Sequence, residues 1–153
     1  MSKNAKRRVE RFRSRIIDTA VSDSTEEVVL HTAEDSKTLI RVWAMLTVSP
    51  IDTAMLTTVP LEVVLAINPG GTSVISPGVT QGLDAPVTIQ EIGRWWAEAG
   101  QNDTNGWLYV SRIEFDTKAM RKMRETDELV LRYVASTAND LRLRGVVYTW
   151  FKE

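Results

Sequence analysis

The sequence contains no cysteine and a single histidine among its 153 residues. The lack of cysteine excludes disulfide bonds, zinc-thiolate sites and cysteine nucleophiles, and is typical of proteins in reducing compartments. Because no run of about 18 apolar residues is present, we expect no membrane span. No apolar segment follows the charged N-terminus, so we expect no secretory signal. The apolar fraction of 43% and the charged fraction of 25% are those of a globular protein.

The sequence also lacks the residue patterns on which enzymes usually depend. His31 has no second histidine for a metal site and no nucleophile motif to serve. Adjacent acidic residues, such as Glu26 and Glu27, point to opposite faces of a strand and cannot act as an acid–base pair. No zinc-protease, serine-hydrolase, dinucleotide-binding or calcium-loop motif is present. We therefore predict a protein that is not an enzyme, with no catalytic residues, no metal site and no cofactor.

Charge is distributed unevenly along the chain. Residues 1–15 carry seven basic side chains and only one acidic side chain, whereas the remainder carries twelve basic and nineteen acidic ones. We interpret residues 1–20 as a flexible basic arm, because clustered cations release counterions when they neutralise phosphates. A solubilising tail is the alternative interpretation. The predicted nucleic-acid-binding residues are Lys3, Lys6, Arg7, Arg8, Arg11, Arg13 and Arg15.

Two runs near the C-terminus are rich in β-branched and aromatic residues and have the period of two that strands require. In the first run Leu129, Leu131 and Tyr133 share one face, and residues 141–151 alternate in the same way. The polar segment 136–140 separates the runs and predicts a hairpin turn between them. We expect the second strand to lie in the interior of a sheet.

The same alternation recurs in earlier parts of the chain, whereas residues 89–99 have apolar residues at helical spacing and predict one short helix. Strands joined by long connections favour two packed antiparallel sheets and a Greek-key or jelly-roll path. We therefore predict an all-β antiparallel sandwich, a single jelly-roll domain over residues 21–153. The further predicted strands cover residues 26–32, 37–48, 61–68 and 107–116.

Four stretches of the chain resemble a known class of protein. They are KNAKRRVERFRSR (3–15), SKTLIRVWAMLTV (36–48), MRKMRETDELVLRYVAS (120–136) and LRLRGVVYTWFKE (141–153). Together they look like the small single-jelly-roll capsid proteins of small circular single-stranded DNA viruses and their relatives. The resemblance implies many identical subunits that self-assemble into a small icosahedral shell. It also implies a basic arm facing packaged single-stranded DNA without sequence preference, assembly inside the host cell and a final location in the virion.

Five tryptophans are more than one small core is expected to need. Tryptophan and arginine together on an outward strand face are typical of protein interfaces. Two alternatives remain open at this point. One is a lectin-like binding module that uses Trp95 and Trp96 as a sugar platform, and the other is a nucleic-acid-binding accessory protein that does not assemble. The predicted subunit-interface residues are Arg41, Trp43, Trp95, Trp96, Arg144 and Trp150.

Overall fold

The structure is a computed structural model that describes residues 10–21, 25–50, 59–71, 90–102, 107–135 and 141–153. These ranges contain nine strands and one 3-10 turn, η1 (Pro69–Gly71). No helix in them is long and apolar enough to cross a membrane. The strands are β1 (Glu10–Val21), β2 (Glu26–Thr32), β3 (Lys37–Pro50), β4 (Val59–Asn68), β5 (Gln90–Asn102), β6 (Trp107–Tyr109), β7 (Ser111–Met123), β8 (Glu128–Ala135) and β9 (Leu141–Lys152).

The strands form two antiparallel sheets. One sheet has four strands in the order β1-β9-β3-β7, and the other has five in the order β2-β8-β4-β5-β6. Both sheets join strands from the two ends of the chain, and β1, β2, β3 and β4 alternate between the sheets. This interleaving is the path of a jelly roll. It confirms the predicted all-β antiparallel sandwich.

The predicted C-terminal hairpin is wrong. Strand β8 pairs with β2 and β4, whereas β9 pairs with β1 and β3 in the other sheet. The two strands therefore stack across the core and do not share a ladder. The expectation that the last strand lies inside a sheet is confirmed, because β9 has a hydrogen-bonded neighbour on each side. The alternation of apolar residues predicts both strands correctly, but alternation does not identify a strand's partner.

The predicted helix at 89–99 is also wrong, because residues 90–102 form β5. A register shift against β4 leaves Ile92 as an extra residue between two paired positions. Ile92 packs against the core together with Trp95, and Ala99 is buried two positions beyond Ala97. The bulge therefore places residues 92, 95 and 99 on the inner side. That spacing imitates the helical period although the backbone is extended.

The predicted flexible arm extends too far into the chain. Glu10–Val21 forms the edge strand β1, which pairs with β9 along its full length. Ile17 and Val21 on this strand are buried in the core. Residues 10–20 therefore belong to a strand, and residues 1–9 lie outside the described part of the chain.

The core lies between the two sheets and is filled by the alternating residues that the sequence indicates. Leu129, Leu131 and Tyr133 of β8 are buried. In β3 a bulge between Leu39 and Arg41 shifts the alternation of buried residues. Leu39 is buried before the bulge, and the even-numbered residues from Val42 to Val48 are buried after it. Because the bulge inserts one extra residue into the strand, the same face of the sheet carries odd-numbered residues before it and even-numbered residues after it.

Candidate interaction face

The four-stranded sheet has one side toward the core and one side away from the second sheet. Side chains alternate along a strand, so the neighbours of buried residues point to the outer side. The pairing registers place Phe12 beside Trp150 and Trp43 beside Tyr148 on that side. We call this outer surface the aromatic face. Its apolar members are Phe12, Ile16, Trp43, Met45, Val146, Tyr148 and Trp150.

Four aromatic rings form a continuous cluster across β1, β9 and β3. The ring centroid of Phe12 lies 5.3 Å from that of Tyr148 and 5.2 Å from that of Trp150. The ring of Trp43 extends the cluster, with its centroid 5.3 Å from that of Tyr148. Phe12 is 54% exposed, and Ile16 on the same strand is 79% exposed. Phe12 and Ile16 therefore extend the half-buried rings of Trp43, Tyr148 and Trp150 into an exposed apolar patch, a feature typical of interaction surfaces.

Arg41 is held at the edge of this cluster by two contacts. Its guanidinium carbon lies 4.7 Å from the centroid of the Trp150 ring, which is a cation–π geometry. Its Nε and Nη2 atoms donate to the two carboxylate oxygens of Asp116, both at 2.6 Å. These hydrogen bonds lower the pKa of Asp116 and raise the pKa of Arg41. The paired fork keeps the guanidinium plane fixed against the ring.

Basic side chains surround the aromatic cluster. Lys118 of β7 lies opposite Arg41 of β3 in the strand register. In the next row, Lys122 and Lys152 lie opposite Thr38, one on each neighbouring strand. The three lysines make no ion pair within the described ranges of the chain. The described side chains of this face carry a net charge of +4, from Arg41, Arg112, Lys118, Lys122, Arg142, Arg144 and Lys152 against Asp18, Glu114 and Asp116.

The far end of the same face holds a smaller charged cluster. Asp18 of β1 accepts hydrogen bonds from Nε of Arg142 at 2.7 Å and from Nε of Arg144 at 3.2 Å. The hydrogen bond from Arg142 contributes most to lowering the pKa of Asp18. Since two guanidinium groups share one carboxylate, this end keeps an excess of positive charge.

On the side of the five-stranded sheet that points away from the first sheet, Val64, Ala66 and Val130 form a second buried cluster. The described charged side chains on this side are mostly acidic, and we call it the acidic face. Arg132 is fully buried there, and its Nε donates to Glu27 at 3.1 Å. Burial lowers the pKa of Arg132, and the Glu27 carboxylate opposes that effect. Arg94 pairs with both Glu62 and Glu91. The described side chains of this face carry a net charge of −3, from Glu27, Glu62, Glu91, Glu98 and Glu128 against Arg94 and Arg132.

The structure brings four of the six predicted interface residues onto the aromatic face. Trp43 and Trp150 belong to the ring cluster, Arg41 packs on it, and Arg144 lies toward the far end of the face. Their predicted role as subunit contacts stays a prediction. The lysines beside them were missed, although basic residues two positions from a predicted surface tryptophan, as in Trp150 and Lys152, gave a signal that could have been used.

The remaining two predicted interface residues lie elsewhere, on opposite sides of β5. The Trp95 ring stacks on Phe115 inside the sandwich, with a centroid distance of 3.7 Å and an interplanar angle of 8°. Trp96 points to the acidic face and is 65% exposed. Trp95 therefore faces the core, which does not fit its predicted place at a subunit interface. The two tryptophans also cannot form a shared sugar platform, because neighbours on a strand point to opposite faces.

The predicted nucleic-acid-binding residues fall into two groups. Arg11, Arg13 and Arg15 lie on β1, where they alternate with the residues of the aromatic face, and all three are exposed. Nε of Arg11 pairs with Glu153 at 3.0 Å. The other predicted residues, Lys3, Lys6, Arg7 and Arg8, lie outside the described part of the chain.

His31 has a structural environment at the edge of the core. Its ring centroid lies 4.5 Å from that of Phe151, and its Nε2 atom lies 3.2 Å from Nζ of Lys37. Desolvation, followed by the charges of Lys37 and Arg13, lowers the pKa of His31 to about 4. A neutral imidazole therefore accepts a hydrogen bond from the lysine. Within the described ranges, no three histidine or acidic side chains converge as metal ligands would.

No family model matches the sequence, and no curated protein matches it either. Several solved structures have a similar course of the chain at low sequence identity. The first is dimeric latent PorU from Porphyromonas gingivalis, with 10% identity and a TM-score of 0.48, where the match covers 94% of this chain and 13% of that one.

Virus structures are also among the matches. The T13 particle of infectious bursal disease virus has 10% identity and a TM-score of 0.42, covering 92% of this chain and 31% of that one. Desmodium yellow mottle tymovirus has 15% identity and a TM-score of 0.35, covering 95% and 89%. The chain thus spans less than a third of PorU and of the bursal disease virus protein. Its assignment as a jelly roll rests on its own strand order and pairing.

Proposed function

We propose that this protein is a structural capsid protein whose copies assemble into a small icosahedral shell around nucleic acid. The observation that carries the proposal is the excess of positive charge on the aromatic face, which also bears the exposed Phe12 and Ile16. The described side chains of the aromatic face carry a net charge of +4, and those of the partly buried acidic face carry −3. A subunit of a filled shell needs one side that attracts a polyanion and one that does not. In the proposed shell the aromatic face is turned inward.

The long edge strands support contacts between subunits. Strands β1 and β7 are the edges of the four-stranded sheet and contain 12 and 13 residues. An edge strand of this length exposes unpaired backbone groups, and natural proteins usually cover or interrupt such edges. Neighbouring copies would cover them in a shell. The resemblance of four sequence stretches to small jelly-roll capsid proteins supports the same proposal.

Contact with nucleic acid is the second part of the proposal. The basic segment 1–9 leads directly into β1, which is the edge of the sheet that carries the aromatic face. The arm and the face would therefore act on the same polyanion. Because the proposed contacts are with phosphates, they do not depend on sequence, and single-stranded DNA is the genome that the resemblance suggests. The proposed locations are the host cell interior during assembly and the virion afterwards.

Electron microscopy of the purified protein tests the proposal. We expect closed particles of uniform diameter at micromolar or higher concentration in low salt with nucleic acid present. A protein that stays monomeric under all of these conditions would show that the shell function is wrong. That outcome, together with retained nucleic-acid binding, would favour the alternative of an accessory nucleic-acid-binding protein, which the positive charge of the aromatic face also fits.

A further inference from the structure

We propose that the aromatic face is a stacking platform for unpaired bases, so that the protein prefers single-stranded to duplex nucleic acid. This inference rests on the proposed contact between the face and nucleic acid and specifies how that contact is made. The arm and the lysines attract phosphates of any strand. The ring cluster of Phe12, Trp43, Tyr148 and Trp150, in which Phe12 is exposed and the other three rings are half-buried, adds contacts that only unpaired bases can make.

The first argument is the exposure and arrangement of the rings. They lie on three neighbouring strands with centroid separations of 5.2–5.3 Å, and Phe12 and Tyr148 are inclined by only 18°. The outermost ring, Phe12, is 54% exposed on the edge strand β1. A strand of nucleic acid can therefore reach the cluster from the open edge of the sheet. Stacking on aromatic side chains tolerates any sequence because every base has a π face.

The second argument is the position of the cations relative to the rings. Lys152 follows Trp150 by two residues on the same strand face, which is about 7 Å along the strand. Lys118 is the register partner of Arg41, which itself packs on Trp150. Rings and ammonium groups therefore occupy adjacent rows of one surface. This combination of a cationic track and stacking rings is typical of single-strand binding sites.

The third argument concerns whether the partner of the aromatic face is nucleic acid or a second copy of the chain. A symmetric contact between two aromatic faces would bring together two surfaces whose described side chains carry an excess of positive charge, which is unfavourable. The lysines at positions 118, 122 and 152 have no ion pair in the described part of the chain that would cancel this repulsion. In a nucleic acid the phosphates neutralise the basic side chains of the face, and the bases provide flat rings that can stack on its aromatic side chains. Charge complementarity therefore favours nucleic acid as the occupant.

A comparison of single-stranded and duplex DNA of equal length tests the inference. We would measure the affinity of the full chain for an oligothymidine and for a duplex at two salt concentrations. The double variant Phe12→Ala/Trp150→Ala should weaken single-strand binding by roughly tenfold or more and change duplex binding much less. Its affinity should depend on salt as steeply as that of the original protein, since no cation is removed.

Matched variants exclude loss of folding as the cause. Trp96→Ala removes an exposed tryptophan from the acidic face and should leave both affinities unchanged. Trp150→Phe keeps a stacking ring and should restore most of the single-strand affinity relative to Trp150→Ala. A double variant that binds single strands as well as the original protein would overturn the inference. Equal losses for single strand and duplex would also overturn it.

The same preparations distinguish this inference from the proposed shell function. If the double variant keeps its nucleic-acid affinity but no longer forms particles, the rings are subunit contacts and the stacking inference fails. If no preparation forms particles but the single-strand preference disappears with the rings, the shell function fails and the stacking platform stands. Quenching of tryptophan fluorescence by oligothymidine in a Trp96→Phe variant gives an independent measurement of stacking; its absence would contradict the inference.

Discussion

Gly145 lies in the middle of β9 at a position where the backbone of β3 leaves no room for a β-carbon. Its φ angle is +154°, and a β-carbon added there would overlap the Met45 carbonyl oxygen and lie 2.8 Å from the Leu46 α-carbon. These contacts are with the backbone of β3, so they cannot be relieved by a side-chain rotation. The close approach of β9 to β3 therefore depends on the missing side chain.

We predict that Gly145→Ala lowers the free energy of unfolding by about 3 kcal/mol, because overlap and backbone strain act together. Urea denaturation at neutral pH measures this change. Gly70→Ala is the matched control, since Gly70 also has a positive φ of 64° but lies exposed in η1, and it should cost only about 1 kcal/mol. Equal costs at the two positions would show that β9 and β3 are not packed as described.

The second residue-scale prediction concerns His31. Its folded-state pKa of about 4 lies below its ordinary value of 6.5, so the unfolded chain takes up a proton first as the pH falls. The folded state is therefore destabilised as the pH drops through 6.5, and the loss is complete near pH 4. Desolvation and then the charges of Lys37 and Arg13 lower the pKa of His31, and the charges of Glu34 and Asp35 partly compensate.

Unfolding by urea at pH 7, 6 and 5 tests this prediction. Stability should fall with decreasing pH by less than about 1.4 kcal/mol per pH unit, which is the limit for one proton. The variant His31→Gln has no group that titrates there and should show a flatter profile over the same range. If the two profiles are parallel, then His31 is protonated equally in the folded and unfolded states.

At the scale of elements, β5 shows how a local irregularity changes what a sequence indicates. The bulge at Ile92 shifts the alternation by one residue, and the inner residues acquire the spacing of a helix. Bulges arise from pairing with a neighbouring strand, so the sequence of β5 alone does not contain the cause. The bulge in β3 after Leu39 has the same effect on a shorter stretch.

Strands β8 and β9 illustrate the second limit of reading elements from sequence. The alternation of apolar residues predicts each strand, and the burial of Leu131 and Val147 agrees with it. Their placement in different sheets depends on the preference of each strand for partners far away in the chain. Since polar residues between two strands suit a hairpin turn and a crossing connection equally, local composition could not separate these possibilities.

At the scale of the whole molecule, the net charge of −1 conceals two faces of opposite sign. We predict that replacing the three lysines at positions 118, 122 and 152 by glutamine reduces the salt dependence of single-strand binding. Loss of three phosphate contacts should lower the slope of log K against log salt by about 2. Filter binding or fluorescence anisotropy from 50 to 300 mM salt, as approximate limits, measures this slope.

The control for this experiment lies on the opposite side of the molecule. Replacing Glu98, which belongs to the acidic face and is exposed, by glutamine changes the net charge by one unit but removes no predicted phosphate contact. It should leave the slope unchanged. A slope that is the same in the triple-lysine variant and in the original protein would mean that the phosphates contact another surface.

The sequence by itself determined the all-β class, the burial of alternating residues in most strands and the excess of basic residues near the N-terminus. These properties follow from composition and from a period of two, which are local. Only the tertiary structure decided which strands share a sheet, that Trp95 is internal, and that Trp43, Tyr148 and Trp150 meet Phe12 on one cationic face. The reason is physical: pairing register and bulges are set between segments distant in the chain, and they decide which side chains become neighbours.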